Sequence, residues 1–343
     1  LSMASAFTDE RVPRASTFAV DPDLRIGYAH VWQASAQRDL PGSMTVLGTY
    51  LGSRGAHLLQ QFLPNTVAPD GSPACGACPV GFTYLASNGT SLRQAAQVQV
   101  RRRLRDGLSA TVQYTLAKAT DNASAFVPTG NPLQAAASAA SGGAGSTGIA
   151  GAVIAQDWTD LEAERSRSAF DQRHQLAVQL QYTTGMGLRG GAFGSRAAAW
   201  LNGWTVTSQL TTGSGLPVTP MALLPVAGTG VIGTVRASVV GDAAPADGSY
   251  LNAANYARPE AGQWGTAGRF SVSGPAQFGF DSSLGRSFQL RDRLTLDWRL
   301  DASNLLNVVT FAGINSVVGS PQFGLPNRAN AMRKLQTSVR LRF

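Results

Sequence analysis

The sequence predicts an all-β protein, an antiparallel transmembrane β-barrel portion of about nine or ten strands with long extracellular loops. Three observations support this fold class. Apolar and polar residues alternate with period two in many segments, as they do on the two faces of a strand. These segments have about the ten residues that a tilted membrane-spanning strand needs. The connections between them alternate between short and long, which is typical of bacterial outer-membrane barrels.

The terminal segment shows the alternation most clearly. One predicted face carries Leu335, Thr337, Val339, Leu341 and Phe343. The opposite face carries Gln336, Ser338, Arg340 and Arg342. A final strand that ends on an aromatic residue and has charge on its inner face favours an outer-membrane barrel.

Nine segments alternate well enough to be predicted as strands: 26–39, 43–52, 92–105, 107–118, 173–183, 203–213, 280–290, 293–304 and 333–343. Short turns are expected at 40–42, 106–107 and 291–292, and a middling one at 184–202; the Asp106-Gly107 pair is a type I′ hairpin signal. Long loops are expected at 53–91, 119–172, 214–279 and 305–331. Because bacterial barrels have an even number of strands, this odd set predicts the carboxy-terminal part of a larger barrel. The alternative is one further strand near 16–20.

Composition excludes several other classes of protein. Charged residues make up 14%, and no run approaches the ~18 apolar residues of a transmembrane helix. The Ala/Gly/Ser-rich stretch 133–155 is interpreted as a flexible low-complexity loop.

The net charge of +8 comes almost entirely from arginine, but the arginines of 101–105 fit a strand, so we expect no nucleic-acid partner. Residues 1–7 show no signal-peptide pattern, so we expect processing or a longer parent chain.

The polar positions of the predicted strands form a candidate inner face. Its members are Gln97, Gln99, Arg101, Arg103, Gln113, Gln179, Gln181, Gln209, Asp297, Arg299 and Asp301. Amide and charged groups on a lumen wall can solvate a channel or hold a plug by hydrogen bonds, or can simply hydrate the wall. Arginines at the outer rim can pair with lipid phosphates.

Two cysteines, Cys75 and Cys78, lie in the first long loop with C-x-x-C spacing. In an oxidising envelope this spacing favours a small disulfide that staples the loop. A redox pair and half of a zinc site are the alternatives. Zinc would need further ligands, and the three histidines are scattered singly.

Two other motifs carry weak signals for chemistry. The run from Gly185 to Gly190 matches G-x-G-x-x-G but is followed by no acidic residue before Asp242, so a glycine-rich periplasmic turn is predicted. Asp171 and His174 could form an outer-rim hydrolase pair, but a structural role at a loop–strand junction is favoured. We predict no catalytic residue, cofactor or metal site.

An acidic cluster, Asp157, Asp160, Glu162 and Glu164, is interleaved with Arg165 and Arg167. Carboxylates are calcium ligands, so a calcium site is one interpretation. A solvated loop base with salt bridges is the favoured one.

Several segments, in order, resemble the barrel end of TonB-dependent receptor-like outer-membrane proteins, in particular the Oar-like group. They are 30–40, 48–58, 113–122, 163–174, 201–204, 213–217, 299–307, 321–324 and the terminal Phe343. The resemblance implies a 22-stranded barrel with a plugged lumen, energised from the inner membrane, whose terminal strand (Leu335, Val339, Leu341, Phe343) is read by the barrel-insertion machinery. The plug domain and the energy-coupling box of that family have no counterpart in this chain.

These inferences lead to one expected function and its rivals. Residues 1–343 are expected to be the carboxy-terminal barrel part of a receptor that takes up or binds a large nutrient in a TonB-dependent way. The expected partners are outer-membrane lipid, the insertion machinery and, in the complete protein, a plug and TonB-type coupling. A self-contained small pore or surface-binding barrel is the alternative. An outer-rim hydrolase and a soluble all-β binding domain are weaker ones.

Overall fold

The structure, a computed structural model, describes residues 18–62, 83–123, 155, 160–185, 201–222, 235–291 and 293–343. Its strands are β1 (Phe18–Val20), β2 (Tyr28–Leu40), β3 (Met44–Phe62), β4 (Thr83–Arg105), β5 (Leu108–Asp121), β6 (Ser166–Arg167), β7 (His174–Thr183), β8 (Trp204–Gly213), β9 (Pro217–Val218), β10 (Met221–Ala222), β11 (Val235–Arg236), β12 (Ser238–Val239), β13 (Tyr256–Ala257), β14 (Val272–Ser273), β15 (Gln277–Arg291), β16 (Leu294–Ser303), β17 (Phe311–Ile314), β18 (Pro326–Ala329) and β19 (Lys334–Arg342). A 3₁₀ turn spans Ala253–Asn255. No helix in the described part of the chain is long and apolar enough to cross a membrane.

Nine of these strands form one continuous antiparallel sheet in the order β19-β16-β15-β8-β7-β5-β4-β3-β2. Each long strand pairs with its neighbour along the chain, so the sheet is an up-and-down meander. The turn between β4 and β5 contains Asp106 and Gly107, both with positive φ (53° and 79°), which is what a type I′ turn requires. All long connections leave from one end of the sheet and all short turns from the other. The all-β fold predicted from the sequence is therefore confirmed.

The predicted strands differ from the observed ones mainly at β3 and β4. The second segment was expected to end at 52 and the third to begin at 92, but β3 continues to Phe62 and β4 begins at Thr83. This hairpin extension contains register shifts at Gly55/Leu58 and Leu58/Gln60, which interrupt the alternation that marks a strand in sequence. The alternative of a further strand near 16–20 corresponds to β1, but β1 pairs parallel with Thr83–Leu85 and does not extend the antiparallel series.

The register gives the sheet two chemically different faces. Residues directly opposite each other share a face, so Val112, Val178, Leu210 and Phe280 form one row across four strands. Ten of the large apolar residues that remain solvent-exposed lie on this face, whereas the exposed Val31 lies on the opposite one. The ten are Trp32, Tyr50, Val98, Val112, Tyr114, Leu116, Leu180, Leu335, Val339 and Leu341. An apolar band of this kind is suited to contact with hydrocarbon. We call it the apolar face and the opposite one the polar face.

Candidate functional site: a loop layer fixed to the sheet

The described parts of the long connections pack together at one end of the sheet. We call residues 160–173, 214–222, 235–276 and 304–333 the loop layer. Its apolar centre is a cluster of Leu251, Ile314 and Phe323. Tyr256 packs its ring edge-on against Phe323 at a centroid distance of 5.7 Å, and burial raises the pKa of its phenol above 10.0. Two long connections, one after β8 and one after β16, therefore share a core.

Backbone hydrogen bonds join the same two connections. The Met221 N–H donates to the Ser316 carbonyl (2.9 Å), and the Val318 N–H donates to the Met221 carbonyl (2.7 Å). The Tyr250 N–H donates to the Gly324 carbonyl at 2.8 Å. Buried backbone groups are thus paired between loops, which gives the layer the properties of a small folded unit.

A buried ion pair fixes this layer to the sheet. Asp121 is the last residue of β5, and its Oδ1 lies 2.9 Å from a guanidinium nitrogen of Arg269. The two side chains are 3% and 5% exposed. Burial lowers the pKa of Arg269, while the charges of Asp121 and Glu164 raise it. Because a buried charge without a counter-ion is strongly unfavourable, each partner requires the other.

A second buried ion pair joins the connection between β5 and β7 to the same anchor. Arg236 donates from one nitrogen to both carboxylate oxygens of Glu164, at 3.0 Å each. Arg269 also donates to the Glu164 carbonyl at 3.1 Å. Arg167, three residues after Glu164 in β6, donates to the Phe270 carbonyl (2.9 Å). Two carboxylates and two guanidinium groups therefore hold two segments of the loop layer, 160–173 and 235–276, on the end of β5.

Polar side chains extend this anchoring to β3 and β4. Gln60 is fully buried and donates to the Asn122 carbonyl at 2.8 Å. The side-chain oxygen of Asn122 accepts from the Thr90 N–H at 2.6 Å. Two neighbouring strands, β3 and β4, are thereby tied to the residue that follows Asp121.

The Asp171 and His174 side chains do not form a pair with each other in the structure. Asp171 is buried, and its Oδ1 accepts from the Ala119 N–H at 2.7 Å. The Nδ1 of His174 lies 2.7 Å from the Tyr114 hydroxyl on the apolar face. Asp171 joins the loop to β5 at the loop–strand junction, as its favoured interpretation required, and no geometry for general-base catalysis links it to His174.

The acidic cluster is divided rather than gathered around a cation. Asp160 accepts from the Ala163 N–H (3.2 Å), and Glu162 forms a long, exposed pair with Arg165 (3.9 Å). The expectation of a solvated loop base was wrong for Glu164, which is buried because its partner is the distant Arg236. Asp157 lies outside the described residues. Within the described part of the chain, no three His, Cys, Asp or Glu side chains come close enough to hold a metal ion.

The predicted inner-face residues occupy one face of the sheet. Gln99 lies opposite Gln113, and Gln179 lies opposite Gln209. The register places the other members on this same face: Gln97, Arg101, Gln181, Asp297, Arg299 and Asp301. Several charges on this polar face are paired: Arg299 with Asp301 and Arg342 with Asp297, both at 2.7 Å, and Arg103 with Asp39 at 3.9 Å. That this face lines a lumen is part of the proposal below.

The remaining sequence motifs fall in turns and at the chain end. Gly185 has φ 78° in the turn that follows β7, and the rest of its motif, with Gly190, lies outside the described residues. Cys75 and Cys78 also lie outside them, so their disulfide remains a prediction. In β19, Leu335, Val339 and Leu341 face Ala302, Trp298 and Leu296 on the apolar face. Phe343 follows the strand and is 99% exposed.

Comparison with solved structures finds outer-membrane proteins at low sequence identity. Similar solved structures include the outer membrane transporter YddB from Escherichia coli (10% identity, TM-score 0.47) and the pyoverdine-bound FpvA of P. aeruginosa (11%, 0.45). The FrpB iron transporter of Neisseria meningitidis is another (10%, 0.43). They match 92%, 92% and 94% of this chain, which spans only 33%, 27% and 32% of their own lengths. A search of curated proteins finds no match.

A family model fixes the class of the protein. The model described as an outer membrane beta barrel domain matches residues 3–336, which is nearly the whole chain. The sheet, its apolar face and its one-sided loops are what this class requires. The chain therefore belongs to the outer membrane beta barrel domain family and is a protein of the outer membrane.

Proposed function

We propose that residues 1–343 are the carboxy-terminal barrel portion of a larger outer-membrane receptor. In the complete protein, this receptor binds or takes up a large nutrient at the cell surface in a TonB-dependent way. The observation that carries the proposal is the direction of the two edge strands of the sheet. Both β2 and β19 run from the long-loop end to the short-turn end.

This direction excludes closure of the nine strands into an antiparallel barrel. Eight successive antiparallel steps leave the first and last strands parallel, whereas bacterial barrels have even numbers of antiparallel strands. Within the described residues, β2 and β19 each hydrogen-bond to one long strand. An unpaired edge cannot face hydrocarbon, because its N–H and C=O groups would have no partner. The proposal therefore includes further strands that complete the barrel, and the resemblance to TonB-dependent receptors implies about 22 in total, with a plugged lumen.

The two faces and the loop layer support the same proposal. The polar face, with its glutamines and paired charges, is suited to line a lumen and to hydrogen-bond to a plug domain. The loop layer presents a folded surface at the long-loop end, which in outer-membrane barrels is extracellular. A ligand that binds this surface meets loops that are already ordered, so less conformational entropy is lost on binding. The terminal strand would be the contact with the insertion machinery.

The mass of the native gene product tests the barrel-portion proposal. Outer-membrane fractions of the source organism are probed with an antibody raised against this chain. A product several-fold larger than 35.8 kDa is expected. A product of 35.8 kDa would contradict the proposal, and the self-contained pore would then replace it.

Energy coupling needs a separate measurement. The full-length product, solubilised from outer membranes, is passed over an immobilised carboxy-terminal domain of TonB from the same organism. Specific retention that is lost when the segment before residue 1 is removed supports TonB dependence. Equal retention of the full-length and truncated proteins, or none of either, would contradict it.

A further inference from the structure

Arg286 lies on the apolar face of the sheet among aromatic rings. Arg38 of β2 and Arg102 of β4 share this face. In the register Arg286 stands directly between Trp204 of β8 and Trp298 of β16. From Phe278 to Phe288, every other residue of β15 shares this face, and apart from Arg286 these residues are Phe, Ser and Leu. The same face of β8 and β16 is also built from uncharged residues.

The four side chains form a compact cluster. The Arg286 guanidinium carbon lies 5.5 Å from the Trp204 ring centroid and 4.8 Å from that of Phe288. Trp204 and Trp298 meet edge to face at 5.7 Å, and Trp204 and Phe288 do so at 6.5 Å. A guanidinium that stacks on rings is held by cation–π attraction, and its planar N–H edge is well suited to phosphate.

The cluster lies at the end of the sheet that has the short turns. Trp204 is the first residue of β8, directly after the turn at 201–203, and β15 ends three residues after Phe288. Tryptophan side chains on a membrane barrel gather at headgroup level, where the ring is in hydrocarbon and the N–H is in water. An arginine at the same level reaches the phosphates by extending its side chain towards the interface.

We propose that Arg286, Trp204, Phe288 and Trp298 form a binding site for the phosphate of an anionic phospholipid. The lipid belongs to the leaflet next to the short turns, and its acyl chains lie along the apolar face of β8, β15 and β16. Arg286 supplies charge-assisted N–H donors to the phosphate, and the rings fix the direction of its guanidinium. This site is independent of whether the complete protein transports a nutrient.

The test measures lipid binding to the full-length native protein by native mass spectrometry. Purified wild-type protein and the Arg286→Gln variant are titrated with phosphatidylglycerol in detergent. The variant is expected to bind the first lipid about tenfold more weakly, since one charge-assisted contact is lost. Arg340→Gln removes an equal charge from the polar face and serves as the matched control, with unchanged binding expected.

A conservative variant, a folding check and a competition experiment separate loss of the lipid site from other causes of weak binding. Arg286→Lys keeps the charge and is expected to retain part of the binding, which separates lost affinity from misfolding; a heat-modifiability gel checks folding of every variant. Inorganic phosphate is expected not to displace the lipid, because the acyl chains contribute to binding. Equal lipid binding by wild type and folded Arg286→Gln would overturn the proposal, as would displacement by free phosphate.

Discussion

At the scale of single residues, the loop layer depends on buried charges whose partners lie far away in the sequence. Asp121 and Arg269 are 148 positions apart, and Glu164 and Arg236 are 72 apart. Breaking such a buried pair leaves one charge without compensation, which is costlier than the pair is favourable. The anchor therefore behaves as a unit, and loss of one carboxylate affects segments far along the chain.

We predict that Asp121→Asn frees the loop layer from the end of β5. Because Arg269 would keep its buried charge without the carboxylate, local opening of 235–276 should become easier by about 3 kcal/mol or more. Hydrogen exchange of the native protein in lipid vesicles measures this as roughly a hundredfold loss of protection.

The matched control for this prediction is Glu162→Gln. Its partner Arg165 is 3.9 Å away, and both side chains are largely exposed, so little change in protection is expected. Equal loss of protection in both variants would show that the buried pair is not what holds the layer.

At the scale of elements, each long strand carries two environments in alternation. Val178 of β7 lies between Val112 and Leu210 on the apolar face, and Gln179 lies between Thr111 and Gln209 on the polar face. Neighbouring positions of one strand should therefore respond very differently to the same substitution. The period of two makes this a direct test of which face meets lipid.

We predict that Val178→Arg destabilises the protein by about 2–4 kcal/mol, since a charge would be placed near the middle of the hydrocarbon. Gln179→Arg is expected to have a small effect, because the polar face is solvated. Urea unfolding of the native protein in lipid vesicles gives both free energies. A larger cost for Gln179→Arg than for Val178→Arg would reverse the assignment of the faces.

At the scale of the whole molecule, orientation follows from the alternation of connections. The loop layer and the short turns lie at opposite ends of the sheet. Outer-membrane barrels carry long loops outside and short turns in the periplasm. Val240 in the loop layer is 62% exposed, and Arg105 lies beside the short turn after β4, so the two residues report on opposite sides.

We predict that a membrane-impermeant maleimide labels Val240→Cys in intact cells, whereas Arg105→Cys is labelled only after the outer membrane is permeabilised. Both variants are made with Cys75→Ser and Cys78→Ser, so that native thiols do not contribute. Labelling of Arg105→Cys in intact cells, with Val240→Cys protected, would show the opposite orientation.

The sequence by itself determined the strand pattern and the two faces. Period-two alternation is local, so all nine long strands could be predicted, together with the end from which the long loops leave. Prediction from the sequence failed at the extension of β3 and β4, where bulges interrupt the period-two alternation.

Only the tertiary structure decided what the loops do. The partners of Asp121 and Glu164 lie on distant connections, and the Trp204 ring that contacts Arg286 lies on another strand; nothing in the flanking residues identifies these partners. Alternation reports burial on either face of a strand, but an ion pair or an aromatic cluster depends on cross-strand register and on contacts between loops, which arise only when the chain folds.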